Sequence, residues 1–140
     1  MKGLVERLDR EGCSCVVANG ADVRNFCMRG IADLHRLLRE EAEFLQGALV
    51  ADKVVGKGAA ALMVSGGVSR LYTHIISEGA LQLFEQSAVD VEYGLRVPHI
   101  INRDKSGWCP VETLCRDVDG VAEILPILDR FIEEISRKNR

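Results

Sequence analysis

The chain has 140 residues, 47% apolar and 28% charged, which supports one compact domain spanning residues 1–140. Its 18 basic and 21 acidic residues leave a net charge of −3, and aromatics make up only 5%. That balance argues against a broad polyanion-binding surface and an aromatic stacking platform, so nucleic acid is not an expected partner.

Residues 2–11 place Leu4, Val5 and Leu8 on one helical face. Residues 13–18 are small and β-branched and run into Asn19-Gly20, the strongest short hairpin signal, with a partner strand over residues 21–28. After Arg29-Gly30, the spacing of Ile31, Leu34, Leu37, Leu38 and Leu45 predicts a helix, on which His35 is a surface or boundary residue. Residues 51–63 are apolar over most of their circumference, as in a buried helix, and Gly66-Gly67 supplies its left-handed cap. A strand over 68–76, a helix over 77–86 and a strand from Val89 through Tyr93 to Val97 follow. Two helical segments finish the chain, the last containing Pro126, which must kink it or lie in its first turn. Strands separated by helices imply parallel pairing, and the opening hairpin adds an antiparallel pair. The expected fold is a three-layer α/β/α domain with a mixed sheet, whose ligands bind outside the carboxyl ends of the parallel strands.

The five cysteines form no C-x-x-C pair, and the three histidines are far apart, so no zinc-ribbon or zinc-finger spacing is present. Free thiols in a reducing cytoplasm are the simplest account. Charges come too early for a signal peptide, and the longest uncharged stretch, residues 58–69, is too short to span a bilayer.

Asp52 and Lys53 open the expected buried helix, and Lys57 stands one turn on. Two ammonium groups on one face of an apolar helix point to an anion pocket at a positive helix end. In the plainer reading, Asp52 caps the helix, Lys53 pairs with an acid and Lys57 reaches out to water. Ser77 reads first as a helix cap, with Glu78 favourable in the first turn, yet both stand at the same expected sheet edge. The segment 98–115 holds Asn102 and Arg103, planar donors suited to an oxyanion or a base edge. Pro110 suits a first helical turn, which sets Cys109 at the cap, where a thiol can become a competent nucleophile. Glu112 is a candidate proton acceptor, while Cys13, Cys15, Cys27 and Cys115 read as packing residues.

The runs Asp52-Lys53-Val54-Val55-Gly56-Lys57, Ile76-Ser77-Glu78, and Ile101-Asn102-Arg103 through Cys109-Pro110-Val111-Glu112 resemble an uncharacterised prokaryotic family of the cytidine-deaminase-like superfamily, a domain of unknown function. The resemblance covers nearly the whole chain and implies the deaminase-like three-layer sheet. Zinc deaminases of that superfamily need H-x-E and P-C-x-x-C; neither is present, so zinc-dependent deamination is not expected and no cofactor or metal is assigned.

Two functions are compatible with these residues. In one, a small anionic or nucleotide-like ligand is bound by Lys53, Lys57, Ser77, Glu78, Asn102 and Arg103. Cys109 would then supply non-zinc catalysis as nucleophile, with Glu112 or Asp52 carrying the proton. In the other, the domain is a non-catalytic sensing or assembly module. A homodimer is a further expectation, since related deaminase-like folds often self-associate.

Overall fold

The computed structural model describes residues 1–27, 31–101, 107 and 109–138. In chain order the elements are α1 (Lys2–Glu11), β1 (Cys15–Asn19), β2 (Asp22–Phe26), α2 (Ala32–Glu40), α3 (Ala42–Leu45), β3 (Leu49–Val55), α4 (Lys57–Gly66), β4 (Arg70–Ser77), α5 (Glu78–Glu85), β5 (Asp90–Val97), α6 (Pro110–Cys115) and α7 (Val121–Lys138). The architecture is mixed α/β, with a five-stranded sheet in the order β2-β1-β3-β4-β5. β1 pairs antiparallel with β2 and β3, whereas β3–β4 and β4–β5 are parallel.

The hairpin forms where expected, shifted by one residue. Asn19 pairs with Asp22, so Gly20 and Ala21 make the loop, and Gly20 takes φ 60° at its first central position. Asn19 instead ties the hairpin to α3: its Nδ2 donates to the carbonyls of Phe44 (3.0 Å) and Gln46 (2.9 Å).

The largest departure is at residues 49–66. The expected helix over 51–63 is a strand followed by a helix, and Asp52 and Lys53 lie in β3. β3 is paired on both edges, and Val50, Ala51 and Val55 are fully buried, so it shows no alternation of apolar and polar residues. A short apolar run of this kind reads the same as a buried helix turn. Only the β-branched Val54-Val55 before Gly56 marks the change of structure. The consequence is direct: Lys53 and Lys57 do not share a helix face, and Asp52 is not a helix cap.

α4 is buried nearly all round and ends on Gly67 at φ 76°, the expected left-handed cap. The long helix expected after Gly30 is broken at Glu41 into α2 and α3. Pro126 lies inside α7, past its first turn.

Alternation along β1 divides two cores. Val16 faces Leu8, Cys13 and Ala51 beneath α1, while Cys15 and Val17 face the larger core formed with α2, α4, α5, α6 and α7. His74 ties α1 to β4 through Asp9 (2.8 Å), and His35 ties α2 to α7 through Asp129 (2.7 Å). His35 is therefore a boundary residue, as its position predicts.

Candidate functional site

A cavity of about 450 Å³ opens where the carboxyl end of β3 meets the start of β1 and the N-terminal ends of α2, α4 and α6. Its polar wall includes Ser14, Asp52, Lys53 and Glu112 with the thiols of Cys15 and Cys109, and Ile31, Leu34 and Val111 line its apolar part.

Asp52 sits on β3 directly opposite Cys15 of β1 and is only 8% exposed. Its Oδ1 accepts the Val54 N–H at 3.3 Å. Burial pushes the carboxyl up to about 7, and the Val54 and Lys53 N–H groups and the Cys15 thiol restrain the shift. The Cys15 thiol is raised in turn, by its own burial and then by the neighbouring Asp52 charge. A carboxyl that changes charge near neutrality beside a cavity is suited to general acid–base work.

Lys53 is next along β3. Its backbone N–H donates to the Ser14 carbonyl at 3.1 Å, and the half-buried residue lines the cavity and makes no ion pair among the described residues. Strand alternation turns its side chain to the opposite sheet face from that of Asp52, the face of Ala51 and Cys13, where its charge acts on the Cys13 thiol.

Lys57, the first residue of α4, behaves differently. Its stem lies against Gly79 at the start of α5, where a Cβ would stand 3.3 Å from Lys57 Cδ. The ammonium reaches the Arg116 carbonyl oxygen (3.4 Å) and Asp119 Oδ1 (3.5 Å), so it stabilises the end of α6. Its backbone N–H donates to Glu112 Oε1 at 2.9 Å. Glu112, 6% exposed, thus caps α4 from another helix and takes the place an external anion would occupy at that helix end. Gly56 makes this approach possible, because a Cβ there would overlap Glu112 Oε1.

Cys109 is the residue before α6, with Pro110 at the first helical position as expected. It is half-buried, its N–H donates to the Ile100 carbonyl at 2.8 Å, and its thiol makes no capping bond.

The cavity therefore brings together Asp52, Lys53, Lys57, Cys109 and Glu112. Ser77 and Glu78 do not border it. Ser77 is fully buried and caps α5, its Oγ accepting the Ala80 N–H at 3.2 Å, while Glu78 points outward to Arg96 at 3.6 Å. Asn102 and Arg103 lie outside the described residues. Cys13 and Cys115 are packed as expected, burial pushing the Cys115 thiol up to about 11. Cys27, read from sequence as a packing residue, is instead exposed at the cavity, because β2 ends at Phe26 and leaves it beyond the ladder. Ser14, Cys15 and Asp33 are lining residues that sequence reasoning missed; the small side chains around Gly12 and the strand start were the only cue. Among the described residues, no three His, Cys, Asp or Glu side chains are grouped to hold a metal ion. Among the described residues, no helix is long and apolar enough to cross a membrane.

A family model described as "TM1506: Domain of unknown function (DUF1893)" matches residues 3–132. Among solved structures, the chain is similar to the crystal structure of a DUF1893 family protein (TM1506) from Thermotoga maritima. The identity is 24% and the TM-score 0.83, over 91% of this chain and 86% of that one, a likeness of fold. No curated protein matches.

Proposed function

This chain belongs to the TM1506 family, a domain of unknown function (DUF1893), and we propose that it binds a small anionic, nucleotide-like molecule in the cavity at the end of β3, with Lys53 as the counter-ion. The carrying observation is a concave, partly apolar space lined by Lys53, a residue with no carboxylate partner among the described residues. A cavity of about 450 Å³ is within the range of small-ligand sites. Ile31, Leu34 and Val111 suit a planar apolar body, and Asp52 can exchange hydrogen bonds with a heterocycle edge in either protonation state.

In the catalytic form of this reading, Cys109 is the nucleophile. Glu112 is committed to the Lys57 N–H, so Asp52 is the better placed proton carrier. We further assign the deaminase-like three-layer arrangement, supported by the opening antiparallel hairpin, the parallel strands after it and the cores on both sheet faces. Zinc does not fit its usual place in that arrangement. The adjoining helix starts present Lys57 and Ser77-Glu78-Gly79-Ala80, which supply no thiolate or imidazole, and a lysine stem crosses between them. Five free thiols fit a cytoplasmic setting.

A second reading, a non-catalytic sensing module, is favoured by one feature: Glu112 is used structurally, which leaves Cys109 without a neighbouring base on α6. Calorimetry with cytidine monophosphate, with inorganic phosphate alongside, tests the binding proposal and separates the two forms. Lys53→Met is expected to weaken nucleotide binding by about tenfold or more, the loss of one charge-assisted contact. Binding that persists in Cys109→Ala, with no turnover by either protein, selects the sensing module. Binding unaffected by Lys53→Met removes the counter-ion assignment.

A further inference from the structure

β5 ends the sheet, and six of its eight residues are exposed. The strand contains no Lys and no Pro, the residues that commonly blunt an edge, and Tyr93 (40% exposed) and Leu95 (56%) are among the largest exposed apolar side chains. The Asp90 N–H donates inward to the Ser69 carbonyl at 3.0 Å. Strand alternation then turns the backbone groups of Val91, Tyr93 and Leu95 outward, to an edge that no strand among the described residues pairs with. Their side chains share a face with Leu71 and Thr73, both buried, so the apolar face of the sheet runs on to the edge without a polar border.

We propose that this edge pairs with β5 of a second copy, antiparallel about a two-fold axis near Tyr93–Gly94, to make a continuous ten-stranded sheet. The charges on the strand argue for this occupant. Outward-facing residues must meet outward-facing residues, so the axis passes through a residue. Centred on Tyr93, it sets Asp90 of each copy opposite Arg96 of the other and Val91 opposite Leu95. Centred on Gly94, it sets Glu92 opposite Arg96 and Tyr93 opposite Leu95. Centred on Glu92, it would oppose carboxylate to carboxylate. Arg96 thus meets an acid in both favoured registers. Its present partner, Glu78, is an exposed contact at 3.6 Å, and the Asp90 carboxylate has an exposed contact with Arg70 at 3.4 Å. Neither holds its side chain strongly.

Sedimentation velocity on the full chain, from micromolar to submillimolar, tests the pairing. The wild type is expected to dimerise. Arg96→Glu alone, and Asp90→Lys/Glu92→Lys alone, are each expected to be monomeric at ten times the wild-type midpoint, since each sets like charges opposite. Mixed one to one, the two variants are expected to recover the dimer, because the introduced carboxylate of one copy then meets an introduced ammonium on the other; recovery also excludes misfolding as the cause. A wild type that stays monomeric, a dimer indifferent to both variants, or a mixture that stays monomeric overturns the proposal.

Discussion

Asp52→Asn is expected to leave stability nearly unchanged at about pH 4 and to raise it by about 4 kcal/mol at about pH 8. An ordinary aspartate releases its proton near 3.8, whereas burial holds that of Asp52 to about 7. Between these values the folded protein binds a proton that the unfolded chain does not. Stability from this group is therefore complete below the lower value, falls by about 1.4 kcal/mol per pH unit through the window, and is lost above the upper one. Asparagine keeps the oxygen that accepts the Val54 N–H and removes the charge whose burial is unfavourable. Two other carboxylates act in the opposite sense: Arg39 and His35 hold Asp129 low, and Arg24 and Arg36 hold Glu41 low. Both are present in the two proteins, so the difference between their denaturant melts isolates Asp52. A difference that stays flat from acid to alkaline pH would show that its carboxyl titrates in the ordinary range.

Gly56→Ala is the second large effect, with an expected loss of about 2–4 kcal/mol from crowding and from the displaced charge-assisted hydrogen bond. Gly56 has φ −100° and ψ −175°, extended backbone that alanine adopts freely. Stiffening the unfolded chain even favours alanine by about 0.4–1 kcal/mol. The penalty therefore comes from contacts. The new methyl would overlap Glu112 Oε1 and stand 3.2 Å from Ile100 Cγ1, so Glu112 must release the Lys57 N–H and lie buried without that partner. A double-mutant cycle makes the assignment specific: in a Glu112→Ala background, the Gly56→Ala penalty should fall below about 1 kcal/mol. Equal penalties in both backgrounds would place the strain on Ile100 instead.

These two residues also show what the sequence could and could not convey. The hairpin, β4, α5, β5, the Ser77 cap and Pro110 at a helix start carry local signals, namely turn residues, alternation and capping chemistry. β3 carries no alternation, because it is paired on both edges and covered on both faces, and only Val54-Val55 before Gly56 marks it as a strand. Reading it as helix placed Asp52 and Lys53 near the right neighbours for the wrong reason: they reach the cavity as strand residues, one inside its wall and one at its border. The role of Glu112 was less legible still. Its partner lies 55 residues earlier, and nothing in the spacing links it to Gly56. The place of Ser77 and Glu78 at a strand end points to the site, yet capping turns one inward and an ion pair turns the other out.

The central claim is that the space beside Asp52 and Lys53 is a ligand site. The most direct measurement is a set of backbone amide NMR spectra recorded while cytidine monophosphate is added. Shifts are expected to concentrate at Cys15, Asp52, Lys53, Val54, Gly56 and Cys109, around the cavity. Spectra unchanged at millimolar nucleotide, or shifts confined to residues remote from that wall, would contradict it.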